Sequence, residues 1–411
     1  MLLVDHIRAL RSVCAVTHTG STVAAAEVLH VSQSSVARAV LGFEAASGQA
    51  LFDRSGRGMQ PTPACQALAA RTTRALRWLA QTDLPGRKMP TADALGWARS
   101  RLASCVGGRH LSVLQSLAST TSETATARML GISQSGVHQT LAQLEHMAGT
   151  ALFLRARRGL RLTEAGETLL QAVKLAYAEW RQAADELALQ RGVVQGRLLI
   201  GTLPFSTGFL LSESVDRVLR SNPGLGITVI DGTYDALLHQ LRHADIDVIV
   251  GALRPVLPGP DLQQETLFLD ELAVVTRASH VLAGKTNLNW HDLRDQVWIM
   301  PMLNTPAQAA FEQALKAANF PIPADPLRVN SALMMQALLA QGDRLALMSP
   351  RQIERELKAG LLVELSVPVR HAPRMIGVIR RVDYVPTPAA QSLFDALRSV
   401  AREIAEDRPD K

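Results

Sequence analysis

The sequence predicts a chain of two fold classes, a duplicated helical half at the N-terminal end and an α/β half after residue 193. Three observations lead to this prediction. A segment of the first half recurs 101 residues later, a long helical stripe follows the second copy, and short apolar β-branched runs then alternate with helical patterns. With 411 residues, 47% of them apolar, the chain has room for two or three domains with cores of their own.

The net positive charge of the chain lies in its first half. Lys and Arg number 43 against 37 Asp and Glu, which gives a net charge of +6. Residues 1–190 carry 20 basic and 13 acidic residues, whereas residues 191–411 carry 23 and 24. This uneven distribution favours a polyanionic partner for the first half of the chain.

Secretion, membrane insertion and thiol chemistry find little support in the sequence. No apolar run approaches the roughly 20 residues that span a bilayer, and Asp5 and Arg8 place charges where a signal peptide needs apolar residues. We therefore expect a cytoplasmic protein with no membrane partner. Cys14, Cys65 and Cys105 lack the spacing of metal ligands, so we expect buried or inactive thiols, no metal and no cofactor.

The internal repeat covers a small domain. Val31-Ser-Gln-Ser-Ser-Val36 returns as Ile132-Ser-Gln-Ser-Gly-Val137, and residues 24–68 align with 125–169 without a gap. This alignment has 18 identities in 45 positions. Two copies at this spacing are too few and too long for a solenoid, so they indicate a duplicated domain.

Each copy predicts two short helices joined by a tight turn, His30-Val31-Ser32 in the first and Gly131-Ile132-Ser133 in the second. Ser32 is a good N-cap for the following helix, and Gly131 suits the left-handed end of the preceding one. This arrangement is a helix-turn-helix. An Ala-Leu-Phe strand and a hairpin tip rich in Arg and Gly follow in both copies, which predicts a wing beside nucleic acid.

In their order, these motifs resemble the winged helix-turn-helix of LysR-type transcriptional regulators. The first copy matches at Gly20-Ser21, Ala25-Ala26, Leu29, Val31-Ser32-Gln33-Ser34, Glu44, Gly48, Leu51-Phe52 and Arg54. The second matches at Ala127, Leu130, Ile132-Ser133-Gln134-Ser135, Leu144-Glu145, Gly149, Leu152-Phe153, Arg155 and Leu162-Thr163-Glu164-Ala165-Gly166.

The chain departs from the family mainly in its duplication, because members normally have one such domain. Within the copies, Phe43-Glu44 stands for Leu-Glu, Thr62-Pro63-Ala64-Cys65 for Thr-x-Ala-Gly, and Thr121-Ser122 for Gly-Ser. The usual Ser-Arg early in the recognition helix is replaced by Ala37-Arg38 in the first copy and His138-Gln139 in the second. The base preference at these positions therefore stays open.

The resemblance implies an α/β chain with two tandem all-α winged helix-turn-helix domains, followed by a two-lobed α/β periplasmic-binding-protein-like effector domain. The predicted segments are a first winged domain at 1–80, a linker with a short helix at 81–108, a second winged domain at 109–162, a linker or dimerisation helix at 163–191 and the effector domain at 192–411.

The segment 163–191 carries an apolar stripe over eight turns, which is typical of a dimerisation seam. Its members are Ala165, Leu169, Leu170, Val173, Ala176, Tyr177, Trp180, Ala184 and Leu187. In the resembling family, a helix at this place pairs two subunits, so we expect a homo-oligomer, either dimer or tetramer. An ordinary core helix is the alternative.

The residues expected to bind DNA begin the recognition helices or lie on the wings. Gln can pair with adenine and Ser can reach a base or a phosphate, whereas arginines mainly hold phosphates. The candidate readers are Ser32, Gln33, Ser34, Ser35, Ser133, Gln134, Ser135, His138 and Gln139. The candidate phosphate ligands are Arg38, Arg54, Arg57, Arg155, Arg157, Arg158 and Arg161. The sequence does not decide which copy reads double-stranded DNA, although the more basic wing favours the second.

Small molecules bind open α/β sheets at the carboxyl ends of strands, near helix N-termini. Three segments of this chain fit that description and coincide with effector positions of the resembling family. They are Leu203-Pro204-Phe205-Ser206-Thr207, Gly232-Thr233, and the residues Pro301, Asn304 and Thr305. They offer hydroxyls and an amide but no Arg or Lys, so we expect a small organic acid or a polar, sugar-like effector. Some of these residues can equally serve only as helix caps.

Two other classes of protein compete with a regulator. An α/β enzyme with a basic appendage lacks support, because no phosphate-binding loop, nucleophile elbow or paired zinc motif is present. His239 and His243 have a metal-ligand spacing on a predicted helix, but solvated polar residues are the simpler interpretation. A periplasmic-type binding protein explains two lobes but not duplicated wings. We therefore predict a DNA-binding transcriptional regulator modulated by a small-molecule effector.

Overall fold

The computed structural model describes residues 2–55, 58–82, 93–157, 159–190, 192, 196–203, 209–323, 327–369 and 374–406. The chain divides into two compact units, Met1–Arg197 and Leu198–Lys411. Within the described ranges, no helix combines the length and the apolar character needed to cross a membrane.

The N-terminal unit contains the same arrangement twice: a helix, a helix-turn-helix, an antiparallel two-stranded hairpin and a further helix. The first copy consists of α1 (Ile7–Thr19), α2 (Thr22–Leu29), α3 (Gln33–Ser47), β1 (Phe52–Ser55), β2 (Gly58–Pro61) and α4 (Pro63–Ala80). A short helix, α5 (Arg101–Cys105), leads to the second copy. That copy consists of α6 (Gly108–Thr120), α7 (Glu123–Leu130), α8 (Gln134–Ala148), β3 (Phe153–Ala156), β4 (Gly159–Leu162) and α9 (Glu164–Gln190).

The predicted turns have the expected physical cause. Gly131 ends α7 with a φ of 65°, the left-handed conformation that glycine adopts at little cost. His30 takes the same place in the first copy with a φ of 53°. Ser32 and Ser133 cap the helices that follow. Each helix-turn-helix therefore forms as predicted from local sequence.

One apolar core runs through both copies, from Leu3 to Leu187. All nine residues of the predicted stripe on α9 belong to this core or pack against it. Their main partner is α4, the counterpart of the first 18 residues of α9 at the 101-residue offset. The face predicted to meet a second subunit is thus covered within the same chain.

The predicted linker also joins this core. Its short helix is α5, and Trp97, Leu102 and Val106 are fully buried. Buried Arg11 of α1 donates hydrogen bonds to the carbonyl oxygens of Ala103 at 2.7 Å and Val106 at 2.5 Å. Most of this segment that the structure describes is therefore part of the packed unit. Residues 83–92 lie outside the described residues.

Two of the three cysteines are buried in this unit, as predicted. Burial raises the pKa of the Cys14 thiol to about 12 and that of Cys65 to about 11. Both thiols are therefore protonated and poor nucleophiles at neutral pH. Cys105 is exposed.

The C-terminal unit contains two five-stranded sheets, each covered by helices. Its elements are β5 (Gly196–Thr202), α10 (Leu210–Ser221), β6 (Leu225–Asp231), α11 (Tyr234–Arg242), β7 (Val248–Ala252), β8 (Leu262–Asp270), β9 (Ala273–Arg277), β10 (Trp298–Met300), α12 (Pro306–Ala317), β11 (Leu327–Arg328), α13 (Ala332–Gln341), β12 (Leu345–Met348), α14 (Glu354–Lys358), β13 (Leu362–Glu364), β14 (Arg374–Arg381) and α15 (Pro388–Glu406).

The strand orders confirm the predicted two lobes. The first sheet runs β6-β5-β7-β14-β8 and the second β11-β10-β12-β9-β13. Strands β5 and β7 are parallel, as are β10 and its neighbours β11 and β12. The chain passes from the first sheet to the second after β8 and returns with β14, so the first lobe is built from both ends of the unit.

Candidate DNA-binding and effector-binding sites

The predicted recognition helices α3 and α8 begin with exposed polar residues. The Ser32 hydroxyl accepts a hydrogen bond from the backbone N of Ser35 at 3.2 Å, and that of Ser133 accepts from Gly136 N at 3.0 Å. These caps satisfy N–H groups that the first helical turn leaves free. Gln33 and Gln134, which follow the two serines, are both exposed. Gln33 Nε2 donates a hydrogen bond to the Thr22 hydroxyl at 3.2 Å.

The two copies differ one turn further along the recognition helix. In α3, Arg38 is exposed and its Nε donates to the carbonyl oxygen of Ser34 at 3.2 Å. In α8, the ring Nδ1 of exposed His138 lies 3.2 Å from Oε1 of Glu123 on α7. Gln139 beside it is exposed as well. The first copy thus presents the cation of Arg38, and the second presents the neutral amide of Gln139 at the equivalent position. The imidazole of His138 beside it contacts a carboxylate.

An arginine that the sequence analysis did not consider lies beside the start of α8. Nη2 of exposed Arg109 is 3.0 Å from the position that a Cβ would have at Gly136. At the 101-residue offset its counterpart is Arg8, which is also exposed. Extending the repeat alignment upstream of residue 24 would have revealed this pair.

The same carboxylate joins recognition helix and wing in both copies. Glu44 Oε1 accepts from the backbone N of Leu51 at 2.8 Å and of Phe52 at 3.2 Å. Glu145 Oε1 accepts from Leu152 N at 2.8 Å and from Phe153 N at 3.4 Å. The bonds satisfy N–H groups at the entrance of each hairpin, which explains why glutamate recurs there.

Each wing also approaches the end of the first helix of its copy. Gly159 has a φ of 113°, and a Cβ there would lie 2.5 Å from the carbonyl oxygen of Thr121. At the equivalent Gly58 the φ is 98°, with a Cβ distance of 3.4 Å to Gly20 O. At Gly159 only glycine combines this conformation with so close a contact, whereas at Gly58 the positive φ alone favours glycine. Of the predicted wing arginines, Arg155, Arg157 and Arg161 are exposed, whereas Arg57, Arg158 and the side chain of Arg54 lie outside the described residues.

The first group of effector candidates meets at one edge of the first sheet. Leu203 N donates to Val250 O at 3.2 Å, and Gly232 N donates to Thr202 O at 3.3 Å. Exposed Thr233 caps α11, and its hydroxyl accepts from Ala236 N at 3.4 Å. These contacts bring Leu203, Gly232 and Thr233 to the same edge of the sheet. The candidates Pro204, Phe205, Ser206 and Thr207 lie outside the described residues.

The second group follows β10 of the other sheet. The Thr305 hydroxyl accepts from Gln308 N at 3.1 Å, capping α12, and donates to Met302 O at 2.7 Å. Exposed Asn304 has a φ of 60°, and its backbone N donates to Gln308 Oε1 at 2.6 Å. Thr305 therefore acts as a cap, and a ligand there would also meet the free N–H groups of the first turn of α12.

Two arginines lie beside the effector candidates, although the three candidate segments themselves contain no arginine. Nη1 of Arg328, on β11, donates to the carbonyl oxygen of Pro301 at 2.5 Å. The guanidinium of Arg254 lies 3.9 Å above the ring of Tyr234, the residue after Thr233. Sequence reasoning missed both, because they come from separate strands or the loop after one, and β11 is too short to show a pattern.

The histidine pair on α11 shows no metal geometry. The rings of His239 and His243 are tilted by 34° with centroids 4.1 Å apart, and His243 Nδ1 lies 2.8 Å from the carbonyl oxygen of His239. Among the described residues, no group of three or more His, Cys, Asp or Glu side chains could hold a metal ion.

Comparisons with known families match both halves of the chain. The family described as LysR substrate binding domain matches residues 191–402. The family described as bacterial regulatory helix-turn-helix protein, lysR family, matches twice, at residues 7–66 and 109–167. The chain is 30% identical over 396 residues to the HTH-type transcriptional regulator GalR of Pseudomonas putida, covering 96% of this chain and 97% of that protein.

A second relative aligns with only about three quarters of the chain. The HTH-type transcriptional regulator PcaQ of Agrobacterium fabrum is 26% identical over 304 residues, 74% of this chain and 97% of PcaQ. The unaligned part of the GalR comparison is only 4% of this chain, less than either winged domain, so that protein has counterparts of both copies.

Solved structures share the fold. A full-length OxyR variant from Pseudomonas aeruginosa superposes with a TM-score of 0.53 at 20% identity, covering 71% of this chain and 95% of OxyR. CbnR, a LysR family transcriptional regulator, gives a TM-score of 0.51 at 20% identity, covering 71% of this chain and 98% of CbnR. With both halves of the chain matched in the expected order, the protein belongs to the LysR family of transcriptional regulators, with DNA-binding helix-turn-helix domains and an effector-binding domain.

Proposed function

We propose that this regulator reads DNA with Gln33, Ser34 and Ser35 of the first copy and Gln134, Ser135, His138 and Gln139 of the second. Arg38, expected from the sequence to hold a phosphate, joins the readers because it occupies the position of Gln139 in the repeat. These side chains lie near the beginning of α3 and α8. All of them are exposed except Ser35, which is half-buried, and this exposure carries the proposal. Ser32 and Ser133 position the helices as caps. The wing residues Arg54, Arg57, Arg155, Arg157, Arg158 and Arg161 would neutralise phosphates, and Arg8 and Arg109 join them.

Two substitutions separate base reading from phosphate binding. The specific duplex is one that the wild type selects from a random-sequence pool. Gln134→Ala is expected to lower the affinity for this duplex about tenfold and to leave the affinity for unselected DNA unchanged. Arg109→Ala is expected to weaken binding to both duplexes and to reduce the slope of log affinity against log salt by about 1. Electrophoretic mobility shifts over a salt series measure both effects.

Arg220→Ala is the matched control, because Arg220 is 77% exposed in the other unit and pairs with Asp216. Arg220→Ala removes one positive charge, as Arg109→Ala does, but from a residue outside the proposed DNA-binding surface. The affinity for DNA and the salt slope should therefore stay at the wild-type values. Equal losses for Arg109→Ala and Arg220→Ala would contradict a phosphate contact at Arg109. An unchanged affinity of Gln134→Ala for the selected duplex would contradict base reading.

We further propose that a small organic acid is the effector, bound by Leu203, Pro204, Phe205, Ser206, Thr207, Gly232 and Thr233 in one lobe and Pro301, Asn304 and Thr305 in the other. The helix N-termini capped by Thr233 and Thr305 favour an anion. Arg328 beside Pro301 and Arg254 beside Tyr234 add positive charge near the same edges. These cations favour an acid over a neutral sugar-like molecule, which stays the second candidate.

Calorimetric titration of the full-length protein with a panel of small carboxylic acids and sugars tests this site. An acid is expected to bind, and Thr233→Ala and Thr305→Ala should each weaken its binding at least about tenfold. Thr233→Ala removes a hydrogen bond to a charged group, and Thr305→Ala removes the cap that orders the N–H groups of the first turn of α12. Thr387→Ala is the matched control: its hydroxyl also caps a helix, accepting from Ala390 N at 3.2 Å. Binding of sugars alone, or equal losses in all three variants, would contradict the proposal.

We also propose that the protein acts in the cytoplasm as a homo-oligomer without enzymatic activity. The family assignment of both halves to regulators supports a role limited to binding. An enzyme with a basic appendage or a transport-type binding protein is disfavoured by the two regulatory helix-turn-helix matches.

A further inference from the structure

The helices α4 and α9 are equivalent elements of the two copies, and they pack against each other in opposite directions. Arg71 of α4 contacts Glu186 at 2.7 Å and Glu179 at 3.2 Å, while Arg74, one turn later, contacts Glu179 at 2.8 Å. Before α4 begins, Gln49 reaches Gln190 at 3.3 Å, at the far end of α9. As the residue numbers increase along α4, those of the contacting residues on α9 decrease, so the two helices are antiparallel.

An antiparallel contact between equivalent helices implies an approximate two-fold relation between the domains that carry them. A two-fold relation also requires that both helices use the same face, and equivalent positions are buried in both: Leu68 and Leu169, Thr72 and Val173, and Ala75 and Ala176. Contacts near the chain start agree with this, because Gly108 at the beginning of α6 packs so closely on Val4 that a Cβ would lie 2.6 Å from its carbonyl oxygen. The two copies therefore pair as two subunits of a symmetric dimer do.

The seam between them is large and internal. Leu68, Leu76 and Leu79 of α4 and Val173 and Trp180 of α9 are each at most 2% exposed in a single core. Arg71 is 4% exposed and bridges the seam through Glu179, Gln182 and Glu186. The apolar stripe of α9 is thereby used within one chain.

We propose that one chain binds both halves of a single operator, and that the two half-sites differ in sequence. A two-fold pair of helix-turn-helix units places its recognition helices on two half-sites a whole number of helical turns apart, about 10.5 base pairs each. Here the pair is covalently linked and its members are unequal. This inference rests on the proposed DNA reading by both copies.

The difference between the copies predicts the difference between the half-sites. Arg38 in α3 matches the two acceptors of guanine, whereas Gln139 in α8 matches the donor and acceptor of adenine. A guanine in the half-site under the first copy therefore corresponds to an adenine under the second. A homodimer of identical reading heads would instead select a palindrome.

Selection of random-sequence duplex DNA by the full-length protein tests the proposal, with sequencing of the enriched pool. The wild type should enrich two different elements in inverted orientation. The double variant Ala37→His/Arg38→Gln gives the first copy the residues of the second at these positions, so one element should change and come to resemble the other. Gln139→Ala should weaken the preference only in the other element.

Three results would overturn the proposal: a wild-type motif built from only one element and its inverted copy, a variant that alters both elements together, or a motif that the double variant leaves unchanged. Enrichment of no sequence at all would overturn the proposed DNA reading itself and this inference with it. Both sets of substitutions are at exposed or half-buried positions of α3 and α8, so a loss of folding does not imitate these results. A thermal melt equal to that of the wild type verifies this for each variant.

Discussion

Arg71→Ala is expected to lower the free energy of unfolding of the N-terminal unit by about 3 kcal/mol. The Arg71 guanidinium is buried and donates to Gln182 at 2.7 Å in addition to its two carboxylate partners. Truncation leaves Glu179, 7% exposed, with less compensation for its buried charge and opens space in the seam between α4 and α9. Arg74 retains its contact with Glu179, which keeps the loss from being larger.

Scanning calorimetry of the full-length protein measures this effect, because two compact units of about 200 residues each are expected to give two transitions. The transition of the N-terminal unit should move down by roughly 10 °C. Arg99→Ala is the control: Arg99 pairs with Asp93 at 2.8 Å but is 74% exposed, so the loss should be at most about 1 kcal/mol. Equal shifts for the two variants would mean that the seam does not depend on Arg71.

Those parts of the fold that depend on near neighbours in the chain were predictable from the sequence. The turns around Ser32 and Ser133 form because a cap and a left-handed residue lie within a few positions of each other. The repeat predicted a second domain equivalent to the first, but it did not show how the two domains pack. Strands β7, β10 and β12 are buried and apolar, so their sequences show them directly.

Other strands are harder to recognise in the sequence, for a physical reason. The strand β8 is at the edge of its sheet and contains Gln263, Gln264 and Glu265, which are only partly buried. Strands β11 and β13 are two and three residues long and also lie at edges. Edge strands need not be apolar, because one side of the ladder faces solvent or a loop. Their positions are determined by neighbouring strands that are distant in sequence.

The partner of α9 was likewise beyond the reach of periodicity. An apolar stripe shows that a helix face is buried but not what buries it. The stripe on α9 favoured a second subunit, with an ordinary core helix as the alternative. The structure covers it with α4, whose own sequence includes the buried polar residues Arg71, Thr72 and Thr73. At the effector candidates, Arg328 was missed for the same reason, because it reaches Pro301 only through pairing of β11 with β10.

Asp270 joins the two sheets of the C-terminal unit at the point where the chain passes between them. It ends β8 in the first sheet and is paired in register with Arg374 of β14. Its Oδ2 accepts from Arg374 Nη2 at 2.5 Å, and its Oδ1 accepts from the hydroxyl of Ser349, directly after β12 of the second sheet, at 2.7 Å. One buried carboxylate thus receives donors from both lobes.

Asp270→Ala is expected to cost about 4 kcal/mol, because the Arg374 guanidinium, 3% exposed in its side chain, loses a buried counter-charge. The calorimetric transition of the C-terminal unit should fall by roughly 12 °C while that of the N-terminal unit stays in place. Asp270→Asn, which keeps an acceptor for Ser349 but no charge, should recover part of the loss. The control Glu265→Ala removes a carboxylate from the same strand, but Glu265 pairs with Arg398 at a partly exposed site, where such pairs contribute at most about 1 kcal/mol. A shift for Asp270→Ala no larger than that of Glu265→Ala would show that this carboxylate does not hold the two lobes together.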